Sequence, residues 1–203
     1  MDLSINSVFA GHTCAAERED RMTNDLKKEA KALRARIESA FADVPYPSDE
    51  HLGERTQMDD DYNDVIAHFT GKNWRDLIPV RKPPRGRANP LETDMCFCTA
   101  EAWRYFLPAY LITAVKMESV GSFTLNPGRS EHLSDHIERR FRLLSAEQCA
   151  VVAAFLKYGE LLIDDKKQRS PDHARYYEYE RQKLLPVIEY WLARAAVLEN
   201  SSS

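Results

Sequence analysis

The stretch CFCTAEAWRYFLPAYLITAV, Cys96 to Val115, sets a proline, Pro108, in the middle of an otherwise strongly apolar helical pattern. Thr99 is a good N-cap, and Glu101 falls in the first turn, where the helix dipole favours a carboxylate. Trp103, Phe106, Leu107, Tyr110, Leu111 and Ala114 then follow at helical spacing. Pro108 has no N–H and its ring conflicts with the carbonyl of Arg104, so the pattern predicts a helix kinked at that point. Such a kink either lets a central helix follow its core or presents Arg104, Tyr105 and the freed carbonyl to a ligand. Pro186 repeats the arrangement opposite Gln182 in the last helical segment, which favours the bend.

Outward from this segment the periodicity stays helical. From Thr23, TNDLKKEAKALRARIESAF places Leu26, Ala30, Leu33, Ile37 and Phe41 on one face, and Pro45 and Pro47 stop it. Ser48 to Asp61 reads as a polar loop. A short helix from Asp60 to Thr70 follows, with Tyr62, Val65, Ile66 and Phe69 as its apolar face and Gly71 at its C-terminal cap. Asn73 can cap one more turn, WRDLI. Pro79 to Pro90 is a proline-rich basic connector.

Beyond Val115, a helix is expected from Glu131 to Leu144. Ser145 and Gln148 form a capping box ahead of an apolar helix carrying Cys149, Val152, Phe155, Leu156 and Leu162. DDKKQRSPDH reads as a solvated loop. Ser170-Pro171 then caps a last helix whose face is Tyr177, Leu184, Ile188, Trp191 and Ala195. No segment shows β alternation and no repeat is visible. The expected fold is all-α: a single-domain bundle of about six or seven helices with proline-kinked central and C-terminal helices. Residues 1–21 are expected to be a flexible N-terminal extension, 22–198 the helical domain, and 199–203 a frayed tail.

Composition narrows the classes further. With 43% hydrophobic and 30% charged residues in 203, the chain reads as an ordinary globular protein. Its 4 cysteines are too few for a disulfide scaffold and its 7 glycines too few for Gly-rich architectures. The first twenty residues lack a basic region and an apolar core, so no secretory signal is read there. The uncharged run Phe106 to Val115 is about half what a membrane span requires. The expected compartment is a reducing cytoplasm, with no membrane partner.

The segments YNDVIAHFTGKNW, FCTAEAWRYFLPAYL and FRLLSAEQCAVVAAFL together resemble an uncharacterised bacterial family known only as a domain of unknown function. The resemblance runs from Ile37 to Leu156, and RYFLPAYL is its most specific part. It implies a bacterial source and a helical core, and supplies no catalytic residue.

Chemical motifs are scarce. Glycine-rich phosphate loops, G-x-S-x-G and H-E-x-x-H are missing from the sequence, and no cofactor is expected. Cys96 and Cys98 lack a second pair at zinc spacing. His132 and His136 stand four apart with Asp135 beside them, the best metal candidate, although further ligands would have to come from elsewhere. DDDYND lacks the glycine and terminal glutamate of a calcium loop.

Charge layout says more. Asp49, Glu50, Glu54, Asp59, Asp60, Asp61 and Asp64 form an acidic block against Arg55 alone. Lys72, Arg75, Arg81, Lys82, Arg85 and Arg87 form a basic block against Asp76. The two blocks can pair across the surface, or one can dock an oppositely charged partner. The sequence therefore points first to a non-enzymatic protein-binding module. Its concrete form is a bacterial immunity protein that blocks a cognate toxin, with Asp59, Asp60, Asp61 and Asp64 carrying binding and Tyr62 and Tyr46 as aromatic anchors. A metal-dependent enzyme built on His132, Asp135 and His136 is the alternative. Nucleic-acid binding through Arg81 to Arg87 is the weaker third class, because the chain carries a net charge of −4 and its aromatics follow core spacing.

Overall fold

The computed structural model describes residues 10–53, 59–81, 91, 94–120, 125–128 and 134–201, with the side chains of 10–23, 59–61, 64–65 and 134 excepted. Six α-helices lie among the described residues: α1 (Ala10–Ala40), α2 (Asp59–Phe69), α3 (Ala100–Met117), α4 (Ser134–Arg142), α5 (Ala146–Arg169) and α6 (Ala174–Ser201). Short 3-10 turns stand at Asp49–His51, Trp74–Leu77, Met95–Phe97 and Pro171–His173. The described residues contain no strand, only an isolated antiparallel bridge between Gly53 and Cys98. The all-α bundle read from the periodicity is the fold.

Helix α3 decides the architecture. Of its 18 residues only Glu101, Arg104 and Lys116 are not buried. A helix apolar around its whole circumference must be covered on every side, so the others gather about it. Helix α1 packs on α3 and α5, α4 packs on α3, and α5 and α6 form the most extensive pair. Aromatic rings tie the layers together: Phe69 of α2 meets Phe106 at 4.4 Å between centroids, and Phe141 of α4 lies between Trp103 (5.8 Å) and Trp191 of α6 (4.5 Å).

The helix ends follow the local chemistry. Thr99 Oγ1 accepts from the Ala102 N–H, Gly71 takes the left-handed conformation at φ 65, and Asn73 and Asp76 form a reciprocal capping box. Helix α4 ends at Arg142, two residues short of the expected Leu144, and α6 runs to Ser201, into the segment read as a frayed tail; two other boundaries differ more. Helix α1 begins at Ala10, ahead of Thr23, because alanine, glutamate and arginine upstream of that cap are themselves good helix formers. Helix α5 continues through the supposed loop DDKKQR to Arg169, since nothing breaks it before Pro171 and Lys166, Lys167 and Arg169 favour its C-terminal dipole.

Pro108 and Pro186 sit inside α3 and α6 without ending either helix. Neither Arg104 nor Tyr105 is held out for a ligand. Tyr105 is buried against Tyr46 and Phe106, and Arg104 Nε donates to Gln148 Oε1 at 3.1 Å.

Gln148 does more than its capping box requires. Its Oε1 also accepts from Ser145 N at 3.2 Å, and its Nε2 donates to the carbonyl of Ala40, the last residue of α1, at 3.0 Å. One amide, 3% exposed, thus joins the end of α1, the start of α5 and the second turn of α3. Replacing it with leucine keeps the bulk and strands a carbonyl and two donors. Gln148→Leu should cost about 2–3 kcal/mol, read as a lower urea midpoint at unchanged slope. A loss below about 0.5 kcal/mol would show the tie to be dispensable.

Gly159 marks the closest approach in the bundle. A Cβ there would lie 2.6 and 2.8 Å from Val120 Cγ1 and Cβ, in the segment leaving α3. Alanine is the better helix former by about 1 kcal/mol, yet overpacking costs about 1–3 kcal/mol. Gly159→Ala should therefore destabilise the protein, and adding Val120→Ala should restore most of the loss. Thermal unfolding of the single and double variants checks this, and a stabilised single variant would refute it.

Candidate partner-binding site

Helix α2, which carries the acidic run, is held in place by the strap of residues 46–53. Tyr46 packs edge-on against Tyr105 and Phe106, at 5.2 and 6.4 Å between centroids. Its hydroxyl donates to Asp49, and the Gly71 N–H just after α2 donates to both Tyr46 Oη and Asp49 Oδ1 at 3.0 Å. Further along, Leu52 is fully buried, its carbonyl accepts from Thr99 N at 3.0 Å, and Thr99 Oγ1 donates to the His51 carbonyl at 2.6 Å. Tyr62 of α2 closes the other side by donating to the Gly53 carbonyl at 3.2 Å. Gly53 is glycine for a reason: a Cβ would lie 2.3 Å from Ile66 and 2.6 Å from Tyr62.

These contacts shift the groups that make them. Burial, then the bond to Asp49, pushes Tyr46 up to about 12, while the Tyr46 hydroxyl and the Gly71 N–H hold Asp49 below its usual range. Tyr46 and Tyr62, the expected aromatic anchors, are each half-buried and bonded within the protein. Asp59, Asp60, Asp61 and Asp64 lie on α2, and their side chains fall outside the described residues. In helical register Asp60 and Asp64 share the side of exposed Asn63 and Ala67, opposite Tyr62, Ile66 and Phe69. Of the basic block, Arg75 is exposed with its guanidinium 4.1 Å from the Trp74 ring, Lys72 is half-buried and Arg81 is exposed. Lys82, Arg85 and Arg87 lie outside the described residues.

The expected metal trio is only partly described. His132 lies outside the described residues, Asp135 is exposed in the first turn of α4, and His136 is half-buried with Nδ1 3.5 Å from Arg139 Nη2. Among the described residues no group of three or more histidine, cysteine or acidic side chains could hold a metal ion. Cys98 is buried, and burial pushes its thiol up to about 12, so it stays protonated at neutral pH. The carbonyls of Cys96 and Cys98 both accept from buried Arg140, at 2.8 and 2.7 Å.

Two arrangements escaped the sequence reading. His68 Nδ1 meets Asp94 Oδ2 at 2.7 Å across 26 residues, with nothing local to announce it. Asp165, assigned to a solvated loop, is a buried carboxylate paired with Arg169 one turn on, a spacing the sequence did display.

Fold and site together describe a helical protein built around one largely buried helix, with an acidic helix latched to its side. Over residues 29–195 the chain matches the model of a family of unknown function, DUF6714, and it belongs to that family. The match reaches into α6, beyond the Ile37 to Leu156 resemblance seen in the sequence. No curated protein and no solved structure matches the chain. Among the described residues no helix is long and apolar enough to cross a membrane.

The strap makes a prediction in alkali. A tyrosine whose folded-state value lies above its ordinary 10.0 contributes stability below that value and loses it as pH rises toward about 12. Tyr46→Phe should cost about 1 kcal/mol at neutral pH and flatten the loss of stability over that alkaline window. Denaturation midpoints measured across the window check both effects. An unaltered alkaline slope would mean that Tyr46 does not titrate with unfolding.

Proposed function

We propose that this protein is a non-enzymatic, cytoplasmic protein-binding module that meets a basic partner through the acidic side of α2. Its most concrete form is an immunity protein that covers the active surface of a cognate toxin. The observation that carries the reading is the register of α2. Its apolar side is spent on the core and its first turn is latched through Tyr62, so in register Asp60 and Asp64 share the side of exposed Asn63 and Ala67. A rigid acidic helix can stand in for phosphates on a cationic surface, and preformed geometry lowers the ordering cost of association. Cations of the neighbouring block, with Arg75 held over Trp74, would set the orientation of docking.

The test begins with a pull-down of the tagged full chain from its native lysate at low salt, followed by association kinetics with whatever co-purifies stoichiometrically. Asp60→Lys with Asp61→Lys should slow association about tenfold or more at low salt, with a smaller effect at high salt. An immunity function further requires that the wild-type chain abolish the partner's toxicity on co-expression. Unchanged association kinetics at low salt would remove the acidic-helix interface.

A further inference from the structure

Where α3 ends, the chain turns back in an unusual way. Glu118 adopts the left-handed conformation at φ 53, normally a glycine position, and the N–H groups of Glu118 and Ser119 close the helix onto Ala114 and Val115. The next residues press against Gly159 of α5. This leaves a cavity of ≈ 130 Å³ between α1, the end of α3 and α5. Leu26, Ala30, Val115 and Leu162 supply its apolar wall, and Glu118, Tyr158 and Asp165 its polar groups.

Tyr158 is the informative residue. It is only 3% exposed, and no hydrogen bond to another described residue satisfies its hydroxyl. Tyr158 lines the cavity together with Glu118, and Glu29 lines the cleft beside it. The ring is buried while the residue lines the cavity, so the hydroxyl is a polar group on the cavity wall with no hydrogen bond to a described residue, open to a ligand. The electrical setting defines the ligand's sign. Among the described residues, cavity and adjoining cleft are lined by five carboxylates, Asp25, Glu29, Glu118, Asp164 and Asp165, against two cations, Lys27 and Arg169. Arg169 is engaged by Asp165, and Lys166, whose ammonium donates to the Glu118 carbonyl at 3.2 Å, adds a third cation beside them, which leaves the carboxylates in excess among the described residues.

We propose that this cavity binds an alkylammonium group, a short aliphatic chain ending in –NH3+. An apolar cavity of about 150 Å³ accommodates a benzene-sized molecule, so this one has room for a chain of about five carbons. The methylenes lie along Leu26, Ala30, Val115 and Leu162. The ammonium donates to the Tyr158 hydroxyl oxygen and to the carboxylates around it. Such a group reaches the cavity either as a free aliphatic amine or as the side chain of a lysine. The site uses no residue of α2 or of the strap, so it stands or falls apart from the acidic-helix reading.

The full chain, labelled with ¹⁵N, would be titrated with n-pentylammonium, with n-pentanol as the uncharged counterpart, and with a lysine blocked at both its amino and carboxyl ends. Saturable shifts at Ala30, Val115, Tyr158 and Leu162 are expected with pentylammonium, with the alcohol at least about tenfold weaker. Tyr158→Phe and Glu118→Gln should each weaken the amine about tenfold, while Glu101→Gln, exposed on α3, leaves it unchanged. Equal binding of the blocked lysine assigns the site to a lysine side chain, and its failure beside a binding pentylammonium assigns it to free amines. An alcohol as tight as the amine, no saturation at tens of millimolar, or full affinity in Glu118→Gln overturns the proposal. That last variant keeps the test decisive even if Tyr158→Phe does not fold.

Discussion

The Gln148 side chain holds together three elements that hydrophobic burial alone would leave free to slide. Burial of α3 is non-directional: it requires cover on all sides but does not say at what height each neighbour stops. The Gln148 amide supplies that missing information by binding the last carbonyl of α1, the guanidinium of Arg104 on α3 and the N–H of Ser145, the residue that caps its own helix. Gln148 itself is buried, and partial loss of solvation lowers the Arg104 pKa, so removing one partner leaves a polar group short of a bond where water does not readily replace it. Axial register in this bundle is a polar decision made inside an apolar core.

That division explains what could be read in advance. Periodicity exposed the buried faces: Leu33, Ile37 and Phe41, or Leu184, Ile188 and Trp191, are buried as their spacing requires. Caps were equally legible, because Thr99, Asn73, Gly71 and Ser145 act within three residues of themselves. Gln148 was visible as half of a capping box, while its hold on Ala40 spans 108 residues and has no local signature. The run DDKKQR was misassigned because charge was taken for solvation. In α5 it is helical, with Asp165 turned inward onto a partner one turn away.

The candidate site shows the same split between local and distant information. Opposite charge blocks and two tyrosines stood out in the sequence, and the helix carrying the aspartates begins where the pattern placed it, to within one residue. The work those tyrosines do did not stand out. Tyr46 and Tyr62 fasten the strap to the ends of α2, so their hydroxyls serve the geometry of the acidic helix. A residue type enriched at interfaces is here also a latch, and the two uses are compatible because each ring remains half-exposed.

The cleft at the end of α3 follows from the burial of that helix. A helix covered on all sides cannot simply run out into solvent; its chain has to leave between its neighbours. The exit is made by a left-handed Glu118 where glycine would be unstrained, and by a glycine in α5 where alanine would be the better helix former. Both residues are locally unfavourable choices, and together they let the departing chain cross α5 closely. Helix α1 lies against α5 on the other side, so the space between them is closed by Leu26 and Ala30 and floored by Tyr158 and Asp165. The cavity is thus a consequence of how a largely buried helix must end, and its carboxylates and hydroxyl are what give that consequence a chemistry.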